Sequence, residues 1–234
     1  MNPNQKVCIG IVNDGSINST LVIDLIKIGR QPNSNFDSLI QVANLGLTTR
    51  SRNVVVLNFL TQTEADWLLM IDSDEQLPLD AYNKLCKAAH HKERVVVSGL
   101  VFANMGDADE IQPIPTIYKM TPAGLEAIHD YPLDTIIPVD ATGTGCLLVH
   151  RSVLELIQKN ASEHQGKNWC WFTEGSIGGT YFGEDILFSK RLGQLGVKMY
   201  AHTGAILKHY KRFWLDERLH APIRDAVIKS KEVQ

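Results

Sequence analysis

The chain has 234 residues, 44% hydrophobic and 21% charged, enough for a hydrophobic core and inconsistent with a disordered chain. Its formal net charge is -3 and its pI about 6.2, so general attraction to phosphate does not make it a nucleic-acid binder. The start MNPNQK runs straight into VCIGIV, and no apolar run is long enough to cross a bilayer, so a soluble, cytoplasmic protein with no membrane span is expected.

Val7 to Val12 is an apolar run of the kind that forms a buried strand. Thr20 to Ile28 has helical period, Leu39 to Val42 reads as a short strand, and Arg50 to Thr63 reads as a helix with Val54, Leu57 and Leu60 along one face. Asp66 to Ile71 is a strand. Asp80 to His90 is a helix announced by Pro78, and Val95 to Phe102 is a strand. Asn104 to Thr135, with four prolines, reads as long connections with a hairpin around Pro115 to Met120. Ile136 to Val139 and Cys146 to Val149 are strands, and Arg151 to Lys159 is a helix.

Ala161 to Gly183 reads as a long loop, and loops of that length inside a compact domain usually carry function. Glu184 to Leu195 is a helix, with Phe188, Leu192 and Leu195 on one face, and Lys198 to Tyr200 and Ala205 to Leu207 are two closing strands. The alternation of strands and helices predicts a single α/β domain over residues 1–212 with a mainly parallel sheet flanked by helices. Residues 213–234 read as a charged, partly helical tail. Cys8, Cys86, Cys146 and Cys170 form no C-x-x-C pair, so buried free thiols are expected.

Four local patterns bear on chemistry. In WLLMIDSDEQLP a buried strand runs into Asp72 and Asp74, which point the same way in extended chain. Ligands of α/β sheets bind beyond the carboxyl ends of strands, and two acids there repel unless a cation lies between them. A hard divalent ion, Mn²⁺ or Mg²⁺, meets that need, whereas the plain alternative is a solvated loop. In TYFGEDILFSKRL, Glu184 and Asp185 open a helix, where carboxylates serve the helix dipole or act as a general base. His209 follows an apolar strand and is a candidate metal ligand, with His202 a competitor. TTRSRN opens a helix with Arg50 and Arg52, either of which could meet a phosphate or simply lie on the surface.

Taken in order, these patterns resemble those of the GT-A glycosyltransferases, especially the large inverting family two. The first strand is followed by Asn13 and Asp14, and Arg52-Asn53 opens a helix. The apolar strand enters Asp72-Ser73-Asp74, TGTGCLLVHRSVL enters a helix, Glu184-Asp185 opens another, and Gly196, a strand and His209 close the set. The resemblance implies a GT-A, Rossmann-like fold and a metal-dependent hexosyltransferase-like activity. The enzyme would move a sugar from a nucleotide-diphospho-sugar, of UDP or GDP type, to an acceptor hydroxyl. Asp74 and His209 would ligate Mn²⁺ or Mg²⁺, and Asp72 would contact the ribose or a metal-bound water. Asn13, Asp14 and Arg52 would hold the nucleotide, and Gly143, Thr144 and Gly145 would lie near donor sugar and acceptor. Asp185 would be the base of an inverting reaction, with Glu184 beside it.

A family-two Q-x-x-R-W motif is absent, and so is the usual Pro-x-Tyr-Asn run after the first strand. Retention remains an alternative to inversion. The aromatics Trp169, Trp171, Phe172, Tyr181 and Phe182 suggest that residues 165–183 form a lid over donor or acceptor. Two other functions stay open. One is a nucleotidyltransferase, against which the loop NDGSINST offers no lysine or arginine. The other is a non-catalytic nucleotide-sugar or glycan-binding module. The acceptor is left open among protein, lipid, glycan, small molecule and modified nucleic acid.

Overall fold

In the computed structural model, which describes residues 5–43, 46–104, 106, 111–122, 124–162 and 166–211, a seven-stranded sheet forms the centre. In chain order the elements begin with β1 (Val7–Asn13), α1 (Ser19–Gly29), β2 (Phe36–Ala43), α2 (Thr48–Gln62), β3 (Trp67–Asp72), β4 (Glu75–Gln76) and α3 (Leu79–Ala88). Then come β5 (Val96–Leu100), β6 (Phe102–Asn104), β7 (Pro113–Pro115), β8 (Ile117–Thr121), β9 (Gly124–Ala127), β10 (Ile136–Val139) and β11 (Ala141–Thr142). The last are β12 (Cys146–His150), α4 (Arg151–Lys159), β13 (Gly175–Ile177), β14 (Thr180–Phe182), α5 (Glu184–Gln194), β15 (Met199–Ile206) and β16 (Lys208–His209).

The sheet order is β10-β15-β5-β12-β3-β1-β2. Five of its seven strands point one way, and β12 and β10 run against them. Strand periodicity divides the apolar residues between two layers. Val7, Ile9 and Ile11 of β1 and Trp67, Leu69 and Ile71 of β3 pack with Leu21 and Ile28 of α1 and Tyr82 and Leu85 of α3. Cys8, Leu68 and Met70 face the other way, toward Val55 and Phe59 of α2, Leu154 of α4 and Phe188 of α5. Gly10 is the contact point with α2, since a Cβ there would lie 2.4 Å from Val55 Cγ1.

Local signals set the helix ends. Asn18 caps α1 by accepting from Thr20 N, and His150 caps α4 by accepting from Ser152 N. The last turn of α2 has no basic residue. Arg151 supplies that charge from α4, donating to the carbonyls of Phe59, Leu60, Thr63 and Ala65 and lying 4.3 Å over the Phe59 ring.

Several expectations change. The closing strands over Lys198 to Tyr200 and Ala205 to Leu207 are one strand, β15, with an irregularity between Ala201 and Ile206. Thr203 bridges it, as its N–H and Oγ1 bond the Thr135 carbonyl. The strand expected over Val95 to Phe102 breaks at Val101 into β5 and β6, and β6 pairs with β7. The loop expected over Ala161 to Gly183 contains the hairpin β13–β14. The four cysteines are buried and free. The expected tail over residues 213–234 lies outside the described residues. Among the described residues, no helix is long and apolar enough to cross a membrane.

Candidate functional site

The site forms where β1 and β3 end side by side. The tripeptide Asp72-Ser73-Asp74 is held by its backbone on three sides. Asp72 N bonds the Gly145 carbonyl, Ser73 N bonds the Val12 carbonyl, and Tyr210 N bonds the Asp74 carbonyl. A cleft of about 620 Å³ opens above it, lined by Asn13, Asp14, Asn18, Leu47, Thr48, Asp72, Asp74, Tyr210 and Lys211 among others. That volume suits a small-molecule ligand. Asn13 is buried; its Oδ1 accepts from Gly15 N, and its Nδ2 has no hydrogen-bond partner among the described residues. Asp14 closes a turn by accepting from Ser16 N and Oγ.

Asp74 and His209 meet at the rim, with His209 Nε2 3.0 Å from Asp74 Oδ2 and Lys211 Nζ 3.1 Å from the same oxygen. Burial alone would raise the Asp74 carboxyl, but hydrogen bonds from His209 and Lys211 and their charges hold it at about 2. His209 Nδ1 lies 2.9 Å from the Phe102 carbonyl, which can only accept, so Nδ1 carries a proton. The His209 pKa is raised: burial works against its charge, but the bond to Asp74 and the nearby Glu75 outweigh it.

Glu75 was not legible as a site residue. It lies on β4, opposite His209 on β16. Its carboxylate is buried, neither oxygen has a hydrogen-bond partner among the described residues, and burial pushes it up to about 8. Asp74, Glu75 and His209 each offer a donor atom within 4.8 Å of one another. His202 stands elsewhere, on β15 opposite Ile136, and its Nδ1 accepts from Gly204 N.

Behind Asp72 lies a buried ion network. Arg52 of α2, 4% exposed, reaches Asp72 Oδ1 at 3.0 Å and Glu184 Oε1 at 3.3 Å. It also donates to the Thr144 carbonyl at 3.4 Å. The guanidinium expected at the nucleotide is therefore engaged by protein carboxylates, and it ties the Asp72 strand end to the start of α5. Asn53, its neighbour, is equally committed. Its Oδ1 accepts from Trp171 N and Phe172 N, and its Nδ2 donates to the Phe172 and Thr49 carbonyls.

The aromatic segment divides accordingly. Trp171 and Phe172 are fully buried, Phe172 stacked on Phe188 with ring centroids 4.6 Å apart, so neither is available as a lid aromatic. Arg191 donates to the Cys170 and Trp171 carbonyls and fixes this stretch further. Trp169 and Tyr181 stay exposed, and Phe182 lies under Lys190 Nζ at 4.6 Å. Gln165 lies outside the described residues.

Asp185 opens α5, with Oδ1 accepting from Ile186 N at 2.7 Å. Burial, and then the charge of Glu184, raises its pKa. The Gly143, Thr144 and Gly145 turn precedes β12. Gly143 N bonds the Thr116 carbonyl, and Thr144 is buried, its Oγ1 without a hydrogen-bond partner among the described residues. At Gly145 a Cβ would lie 3.1 Å from Glu75 Oε1 and 3.6 Å from Asp72 Oδ2, so glycine leaves that space open.

No protein-family model matches the sequence, and no curated protein matches it. Solved structures do share its architecture. A197 from STIV superposes with a TM-score of 0.56 at 18% identity, covering 91% of this chain and 87% of its own. The structure of GalNAc-T7 with UDP, GalNAc and Mn²⁺ superposes with a TM-score of 0.54 at 13% identity. The match takes in 89% of this chain and 44% of GalNAc-T7, so this chain spans less than half of that protein. The fold is GT-A. At such identities the likeness carries the fold alone.

Proposed function

We propose that this chain is a metal-dependent glycosyltransferase that moves a sugar from a nucleotide-diphosphate donor to an acceptor hydroxyl with inversion. The observation that carries it is the meeting of Asp74, which lines the cleft above β1 and β3, with Glu75 and His209 behind it. GalNAc-T7, of like fold, was solved with UDP, GalNAc and Mn²⁺, which supports reading the cleft as a donor site.

The donor set of carboxylate oxygens and one imidazole nitrogen fits Mn²⁺ or Mg²⁺, and the buried Glu75 carboxyl, without a hydrogen-bond partner among the described residues, fits positive charge close by. Asp74 and His209 would hold the ion, which when bound would supply positive charge against that developing on the leaving diphosphate. The chain's own residues do the rest. Asn13 and Asp14 line the cleft where the nucleoside would enter, and Asn13 Nδ2, without a partner among the described residues, could donate to it. Arg52 holds Asp72 and Glu184 in fixed relation, so that the donor and acceptor sides keep one geometry. Asp185, its pKa raised by burial, takes the proton from the acceptor hydroxyl as that oxygen attacks the anomeric carbon.

The test is thermal stability with UDP, GDP, CDP and dTDP, with and without Mn²⁺, on wild type and Asp74→Ala. A ligand at a hundred times its dissociation constant adds about 2.7 kcal/mol. A shift for one nucleotide that needs both metal and Asp74 supports the donor site and names its base. No shift for any nucleotide on folded protein overturns the reading. Asp185→Asn must then abolish transfer while leaving that nucleotide shift intact.

A further inference from the structure

Glu75 occupies an unusual place. Its side chain is wholly buried, and neither oxygen has a hydrogen-bond partner among the described residues. Burying a carboxyl group without hydrogen bonds costs stability, so a fold that keeps one gains something else from it. Its surroundings indicate what. The register of β4 with β16 sets Glu75 directly across from His209, and Glu75 Oε1 lies 3.6 Å from His209 Nδ1. Asp74 lies on the other edge of the same ring, 3.0 Å from Nε2. The Nδ1 proton is already directed at the Phe102 carbonyl, at 2.9 Å. The imidazole is thus held between a backbone acceptor and a buried carboxylate on its inner edge, with its Nε2 edge turned toward Asp74 and the cleft.

We infer that Glu75 is a positioning residue that acts through His209. Its buried carboxylate stands 3.6 Å behind the Nδ1 edge, adds its charge to the Phe102 carbonyl's hold on the proton there, and makes Nε2 a stronger donor to a divalent cation shared with Asp74. This rests on the metal-site reading above. Metal-binding histidines commonly show their second ring N–H to a carboxylate or carbonyl, and losing that partner lowers metal affinity about 10- to 100-fold. Gly145 is part of the same device, since its missing side chain leaves Glu75 Oε1 the room it occupies.

The experiment measures Mn²⁺ binding by the electron paramagnetic resonance signal of free Mn²⁺, alongside the unfolding temperature in EDTA. The proteins are wild type, Glu75→Gln, Glu75→Met, Asp74→Asn and His209→Ala. A positioning carboxylate predicts that both Glu75 variants raise the Mn²⁺ dissociation constant about 10- to 100-fold, while their metal-free unfolding temperature stays level or rises. Unchanged Mn²⁺ affinity in the Glu75 variants overturns the inference. So does a loss of affinity that follows a matching fall in metal-free stability, which marks a structural residue. If Asp74→Asn and His209→Ala also bind Mn²⁺ as wild type does, the metal-site reading itself fails and this inference falls with it.

Discussion

Replacing Asn53 by alanine removes the acceptor shared by two buried backbone N–H groups. Those of Trp171 and Phe172 both bond Asn53 Oδ1 at 3.1 Å, and the Phe172 carbonyl loses its 2.7 Å bond from Nδ2. Asn53 is 3% exposed and both aromatic rings are fully buried, so water does not readily replace the lost partners. A buried donor left unsatisfied costs about 1–3 kcal/mol, so two cost about 2–6 kcal/mol. Alanine recovers part of a kcal/mol through its higher helix propensity, about 0.5 kcal/mol. The net expectation is a loss of about 2–5 kcal/mol, a large share of the stability of a typical domain. Urea unfolding followed by tryptophan fluorescence measures it. Asn58→Ala, at a partly exposed position of the same helix, serves as the control and should stay within about 0.5 kcal/mol. The segment from Cys170 to Gly183 should also become cleavable by protease under native conditions, because Asn53 ties its start to α2. A loss below about 1 kcal/mol, with no new cleavage, would refute the view that this aromatic segment is anchored through Asn53.

Arg52→Met leaves Asp72 and Glu184 facing each other without their shared cation. Because those carboxylates are partly exposed, the expected loss is about 2–4 kcal/mol by urea unfolding, below the full cost of a completely buried pair. Arg52→Lys should recover less than half of it, since a single ammonium cannot fork to two carboxylates and a carbonyl. In metal-free protein, Glu75 has a folded-state pKa raised to about 8. Its penalty is therefore absent below the unfolded value near 4.3 and grows as pH rises toward 8. Thermal scans in EDTA should show Glu75→Gln gaining on wild type across that window. The Asp74–His209 pair behaves differently. Asp74 is depressed to about 2 and His209 is raised, so the pair stabilises most between roughly pH 4 and pH 6.5. Its contribution fades on the acid side as Asp74 protonates and on the alkaline side as His209 loses its proton. Asp74→Asn should flatten that maximum, and added salt should shrink it, because the Asp74 side chain is 41% exposed.

The elements that the sequence marks best are those with a strong local period. β1, β3 and α4 stand almost where their apolar patterns place them. Asp72 ends β3 and Asp74 follows it, as WLLMID implies, and His209 meets Asp74 across a sequence separation of 135 residues. Harder to read from local pattern are residues whose partners come from far along the chain. Arg52, expected at the nucleotide from its place at a helix start, also meets Glu184 of α5, and Asn53 beside it meets the segment before α5. Trp171 and Phe172, expected in a lid, instead pack among residues of α2, α4 and α5. Glu75 follows Asp74 directly and carries no local mark of burial. Only the two-residue pairing of β4 with β16, too short to leave a periodic trace, turns it inward against His209.

By itself, then, the sequence determined the layered α/β arrangement and the acids at the end of β3. Both follow from alternation of apolar residues and from the order of strands and helices, which are local properties. The tertiary structure decided which polar residues face the cleft and which are used up holding it together. That division depends on which distant side chains and carbonyls come within hydrogen-bonding distance, and a buried arginine, asparagine or glutamate has no local signature of the partner that will meet it.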